Sequence, residues 1–99
     1  MRLRPEERAL IRQAVAETFG PKAAVWLFGS RVDDRRRGGD IDLLIRPDPT
    51  CMDRLLERKL ALLVRLEKAL GERKIDVIVE RPGDTRAIVR QALQTGVPL

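Results

Sequence analysis

The chain has 99 residues, enough for one small domain with a single core and not for two independent ones, so one domain spanning residues 1–99 is expected. Its 43% hydrophobic and 35% charged composition is that of a folded globular protein, and the absence of histidine with only one cysteine, Cys51, excludes a Cys/His zinc cluster, an internal disulfide and a Ser-His-Asp or Cys-His hydrolase. A net charge of +5 favours polyanionic partners, but the basic residues are spread from Arg2 to Arg90 and the three aromatics, Phe19, Trp26 and Phe28, stand in apolar surroundings that suit a core, so direct sequence-specific nucleic-acid binding is disfavoured.

No apolar run reaches the roughly 18 residues of a membrane span and MRLRPEERAL has no secretory h-region, which makes the cytoplasm the expected location and a membrane partner unexpected. One layer of sheet against one of helices is the simplest arrangement for a chain of this size.

Pro5, Glu6 and Glu7 mark a helix start and Gly20-Pro21 its stop, with Ile11, Ala14, Val15, Thr18 and Phe19 forming an apolar stripe between them. Ala23 to Phe28, apolar at every position and bounded by Pro21 and Gly29, reads as a central strand. Gly29 and Ser30 then make a turn whose small residue and hydroxyl could approach an anion, although most such dipeptides are only turns. Arg31 to Gly39 reads as a short helical turn and a connection whose four arginines either meet solvent or contact phosphates.

Asp40 to Ile45, DIDLLI, is more informative. On a strand Asp40 and Asp42 share one face while Ile41, Leu43 and Ile45 fill the other. Two carboxylates so placed repel unless a cation accompanies them, and hard oxygen ligands suit magnesium or manganese; two solvated acids at a strand end are the alternative. Pro47-Asp48-Pro49 breaks the strand, Thr50 and Asp53 suggest a helix cap, and the following helix is expected to bury Met52, Leu56, Leu60, Leu63, Leu66 and Leu70, ending at Gly71. Cys51, with no histidine or clear base to activate it, is expected to be inert.

Lys74 to Val79 reads as a third strand with Ile75, Val77 and Val79 on one face and Asp76 on the other. Asp76 either pairs with Lys74 or a nearby arginine, or joins Asp40 and Asp42 in a three-carboxylate cluster able to hold two divalent ions. Asp84 is a candidate cap for a last helix through Ile88, Ala92 and Leu93, which Gly96 and Pro98 end.

Gly29-Ser30, nine intervening residues, Asp40-Ile41-Asp42 and a later strand bearing Asp76 together resemble the signature of the DNA polymerase beta-like nucleotidyltransferase superfamily, in particular its minimal members. The resemblance implies an α/β (α+β) nucleotidyltransferase fold, a small mixed sheet with helices packed against it. It implies that Gly29 and Ser30, with Arg31, contact the triphosphate of ATP. It further implies that Asp40 and Asp42 bind Mg2+ or Mn2+, and that Asp76 completes the metal site and helps deprotonate the acceptor hydroxyl. Minimal members resemble the antitoxin halves of toxin-antitoxin pairs whose partner is a small helical HEPN ribonuclease, modified on a tyrosine with AMP. A silent module that neutralises such a partner by occlusion, and a stand-alone transferase acting on a small molecule or an RNA end, are the alternatives.

Overall fold

In the computed structural model, which describes residues 3–28, 41–71 and 73–99, the elements run α1 (Pro5–Phe19), β1 (Ala24–Phe28), β2 (Ile41–Arg46), a 3-10 turn (Pro49–Cys51), α2 (Leu55–Leu70), β3 (Ile75–Val79), α3 (Ala87–Thr95) and β4 (Val97–Pro98). This is a mixed α+β fold in which a four-stranded sheet has the order β3-β2-β1-β4. β1 is antiparallel to β2 and β4, while β2 and β3 are parallel. The proposed turn and loop from Gly29 through Gly39, together with Asp40, lie outside the described residues. Within the described residues no helix is long and apolar enough to cross a membrane.

Helices cover both faces of the sheet, not one. The reason is the composition of the central strands: Leu27, Ile41, Leu43, Leu44 and Ile45 are fully buried, so β1 and β2 carry apolar residues on both sides and each side has to be shielded from water. One face packs Val25, Leu27, Ile41, Leu43, Ile45 and Val77 against α1 and α2. The other packs Phe28 and Leu44, flanked by Trp26 and Ile78, against Val89 and Ala92 of α3.

α1 begins at Pro5, where the Glu7 carboxylate accepts the Arg4 backbone N–H at 3.0 Å. Arg73, just before β3, reaches the same carboxylate at 2.8 Å, so Glu7 ties the start of the chain to the third strand. The Arg4 amide bond, helped by the Arg73 and Arg4 guanidinium groups, holds the Glu7 carboxyl below its ordinary range despite burial.

α1 ends at Gly20, whose φ of 99° lies in the region that L side chains avoid. A Cβ there would lie 2.5 Å from the Asp48 Cβ. Asp48 is the hub of this corner: its N–H donates to the Phe19 carbonyl at 2.9 Å, and its carboxylate accepts the Thr50 N–H and the Lys22 N–H, both at 3.0 Å. Those donors keep its carboxyl below the usual range. Gly20→Ala should therefore cost roughly 2–3 kcal/mol, from strained backbone plus overpacking, read as a lower urea midpoint with an unchanged slope.

The structure corrects three further sequence readings. Thr50 caps no long helix; it sits in the 3-10 turn capped by Asp48, and α2 starts later, after Arg54 at a left-handed φ of 54°. α2 is also rolled relative to the expected stripe. Leu62 and Leu66 are fully buried, but Leu56 is 69% and Leu60 54% exposed, and Met52 precedes the helix. Contact with α1 selects this roll, fixed by Arg58 donating to the Thr18 carbonyl at 2.8 Å and Arg65 facing Glu17. Finally, Asp84 does not cap α3, whose N-cap is Arg86; its carboxylate instead accepts the Arg81 and Arg86 backbone N–H groups, closing the turn after β3.

Candidate active site

Pairing across the sheet sets the candidate site. Phe28 of β1 lies opposite Asp42 of β2, and Asp42 lies opposite Asp76 of β3, so these three residues form one row across three strands. Cross-strand partners project to the same side, with neighbouring strands about 4.8 Å apart, which brings the two carboxylates to the α3 face as near neighbours. Each is the second residue of its strand, near the end of the sheet where β2 and β3 begin. Asp42 is half-buried and Asp76 exposed.

The row forms part of a cleft of about 600 Å³ that also takes in Lys59 of α2 and Ile88 and Gln91 of α3. A further hollow of about 460 Å³ between α1 and β1 is lined by no acidic side chain, whereas the cleft holds two carboxylates at one strand register. Lys59 is the cation lining the cleft, and it makes no ion pair among the described residues. Asp76 likewise has no ion pair among them, which sets aside the simple reading of a salt bridge with Lys74.

Of the residues expected from sequence to form the site, Asp42 and Asp76 are brought together, while Gly29, Ser30, Arg31 and Asp40 lie outside the described residues. Among the described residues no group of three or more His, Cys, Asp or Glu side chains gathers to hold a metal. The donor set present fits a divalent cation all the same: two carboxylates at one register offer hard oxygens, and positive charge beside them relieves their repulsion. Phe28, Lys59 and Gln91 were not legible as site residues. Phe28 reads as core, and Lys59 and Gln91 gain their place only from the roll of α2 and the docking of α3.

A family model described as Polymerase beta, Nucleotidyltransferase matches residues 12–99. The chain belongs to that family. The match runs from the middle of α1 onward, with the whole sheet and the Asp42–Asp76 row inside it. Curated proteins contain no match to the chain. As a member of the polymerase beta nucleotidyltransferase family, the chain falls in a class that carries out nucleotidyl transfer, and the mixed sheet and three α-helices of the described residues agree with that fold.

Proposed function

We propose that this nucleotidyltransferase-family domain moves AMP from ATP to a hydroxyl of a partner protein, a helical HEPN-type ribonuclease, as the antitoxin half of a toxin-antitoxin pair. The observation that carries the reading is the registered pair Asp42 and Asp76 on one face of a polymerase beta nucleotidyltransferase-family sheet, at the rim of an open cleft.

In this reading Asp40, Asp42 and Asp76 would hold Mg2+ or Mn2+, which when bound supplies positive charge to the phosphate oxygens. Gly29 and Ser30, with Arg31, bind the triphosphate. Asp42, half-buried beside Phe28, is fixed in direction by its strand and orients what it holds. Asp76 is exposed and lies at the sheet edge, where an incoming hydroxyl can meet it; it takes the hydroxyl proton as the oxygen attacks the α-phosphorus and pyrophosphate leaves. The protein supplies placement and an apolar wall formed by Phe28 and Ile88.

The test mixes purified domain, ATP, magnesium and the candidate partner, and follows the partner by intact mass. The expected result is a gain of one AMP on the partner, absent without ATP. A partner that binds and is neutralised with no mass change would leave the domain as a silent occluding module, and pyrophosphate release with a small-molecule or RNA acceptor would assign it to the stand-alone class.

A further inference from the structure

β3 ends the sheet on one side, and its outer edge is open among the described residues. Ile41 N–H donates to the Lys74 carbonyl at 2.9 Å and Glu80 N–H to the Ile45 carbonyl at 2.8 Å. In a parallel ladder alternate residues bond to the neighbour, so Lys74, Asp76, Ile78 and Glu80 face β2, and Ile75, Val77 and Val79 turn their N–H and C=O groups outward. The Val79 carbonyl is taken by the Arg86 guanidinium at 2.8 Å, which closes that end and leaves Ile75 and Val77 to pair.

Nothing in IDVIV blunts this edge: it has no proline, and every residue except Asp76 is β-branched and apolar. The edge is also roofed. The 600 Å³ cleft touches Ile75 through Ile78 consecutively, together with Leu63 on one side of the sheet and Gln91 on the other, so it reaches both faces of the sheet at β3. A second hollow of about 230 Å³ continues it along Val77 to Val79 under Leu55, Leu56 and Lys59. Lys59 lines both hollows.

We propose that this rim is a strand-addition groove for an extended, apolar and acidic segment of the acceptor protein, which pairs with Ile75 and Val77 and sets its hydroxyl-bearing side chain beside Asp76. The inference rests on the transfer reading above. A residue paired opposite Asp76 becomes the fourth in the row Phe28, Asp42, Asp76 and projects to the same face, one strand spacing away. Its hydroxyl oxygen bonds to the α-phosphorus of ATP, the bond from that phosphorus to the pyrophosphate oxygen breaks, and the hydroxyl proton passes to the Asp76 carboxylate.

Side chains on the alternate face meet Leu56, 69% exposed, and Lys59, which has no ion pair among the described residues, so one apolar and one acidic neighbour complement the groove. A second copy fits less well. Antiparallel self-pairing about Val77 sets Arg73 against Arg81, and about Asp76 it sets that carboxylate against its own copy; the register about Ile75, which sets Lys74 against Asp76, uses the segment before β3 and occupies the Asp76 position.

The test titrates 15N-labelled full-length chain, without ATP or metal, with the acetylated peptide Val-Glu-Tyr-Val-Glu into the millimolar range. Amide shifts should centre on Ile75 and Val77, with their hydrogen exchange slowed on the order of tenfold. An analogue N-methylated at alternate amides should lose binding, and Lys59→Glu should weaken it about tenfold. Shifts elsewhere, no shifts, or equal binding by the N-methylated analogue would overturn the groove; so would concentration-dependent changes at β3 without peptide, which would give the edge to a second copy. Peptide capture on β3 by a domain that never modifies a partner sinks the transfer reading and keeps the groove. Partner modification with β3 amides unchanged does the reverse.

Discussion

Asp42→Asn is expected to lower AMP transfer by on the order of 10³-fold while the domain stays folded. The substitution keeps the size of the side chain, and residues on either side of it, Ile41 and Leu43, are fully buried on the opposite face, so the strand is held by contacts that the change does not touch. What is lost is one full negative charge at the position where Phe28, Asp42 and Asp76 align. A magnesium ion held by fewer anions is both bound more weakly and placed less accurately, so metal-dependent nucleotide binding should fall together with turnover. Asp76→Asn should also abolish most transfer, but with a smaller loss of nucleotide binding, because its proposed part is played toward the acceptor. The checks are intact mass of the partner after a timed reaction, nucleotide titration with and without magnesium, and a melting curve. A melting temperature within about 4 °C of the parent corresponds to less than about 1 kcal/mol for a domain of this size and would confirm that folding is not the cause. Transfer that survives Asp42→Asn at parental rate would remove the carboxylate row from the chemistry.

The faces that Asp42 and Asp76 take on their own strands could be read from residue alternation, because strands impose a strict period of two, whereas which strands pair could not. IDLLI and KIDVIV each place an acid opposite to a run of β-branched or leucine residues, and pairing them in parallel gives the Asp42–Asp76 register observed. Helix α2 resisted the same approach. Leu55, Leu56, Leu60, Leu62, Leu63, Leu66 and Leu70 spread over an arc of roughly 160° at 3.6 residues per turn, wider than the stripe that Leu62 and Leu66 bury, so more than one roll covers a similar apolar area, and contacts with α1 and β3 choose among them. β4 was missed for a different reason. Val97–Pro98 is two residues long and contains proline, which reads as a terminator, yet Pro98 is tolerated opposite Trp26 at a sheet edge where no ladder N–H is required of it. Leu99 N–H then donates to the Val25 carbonyl at 3.0 Å and fixes the strand. The triphosphate contacts expected at Gly29, Ser30 and Arg31 rest on motif resemblance, while Lys59 and Gln91 emerge only from the assembled cleft, since no short-range pattern marks a helix residue that meets a strand edge far along the chain.

Phe19→Ala is expected to be the most damaging core substitution, costing about 3–5 kcal/mol. Phe19 is fully buried at the last turn of α1, and the Cβ that alanine retains would leave a ring-sized void between α1 and the sheet. Its backbone carbonyl also accepts the Asp48 N–H at 2.9 Å, at the corner where Gly20 and Asp48 pack together, so a void there loosens a link between the end of α1 and the segment after β2. A domain of this length has a total stability of roughly 5–15 kcal/mol, which makes the loss a large part of the whole. The melting temperature should fall by roughly 15–30 °C, against a few degrees for Leu56→Ala, whose side chain is 69% exposed. The pair of measurements tests the packing directly, since both substitutions remove a large apolar group. Were Leu56→Ala to destabilise as strongly as Phe19→Ala, the roll assigned to α2 would be wrong, and with it the place of Lys59 and Leu63 beside β3.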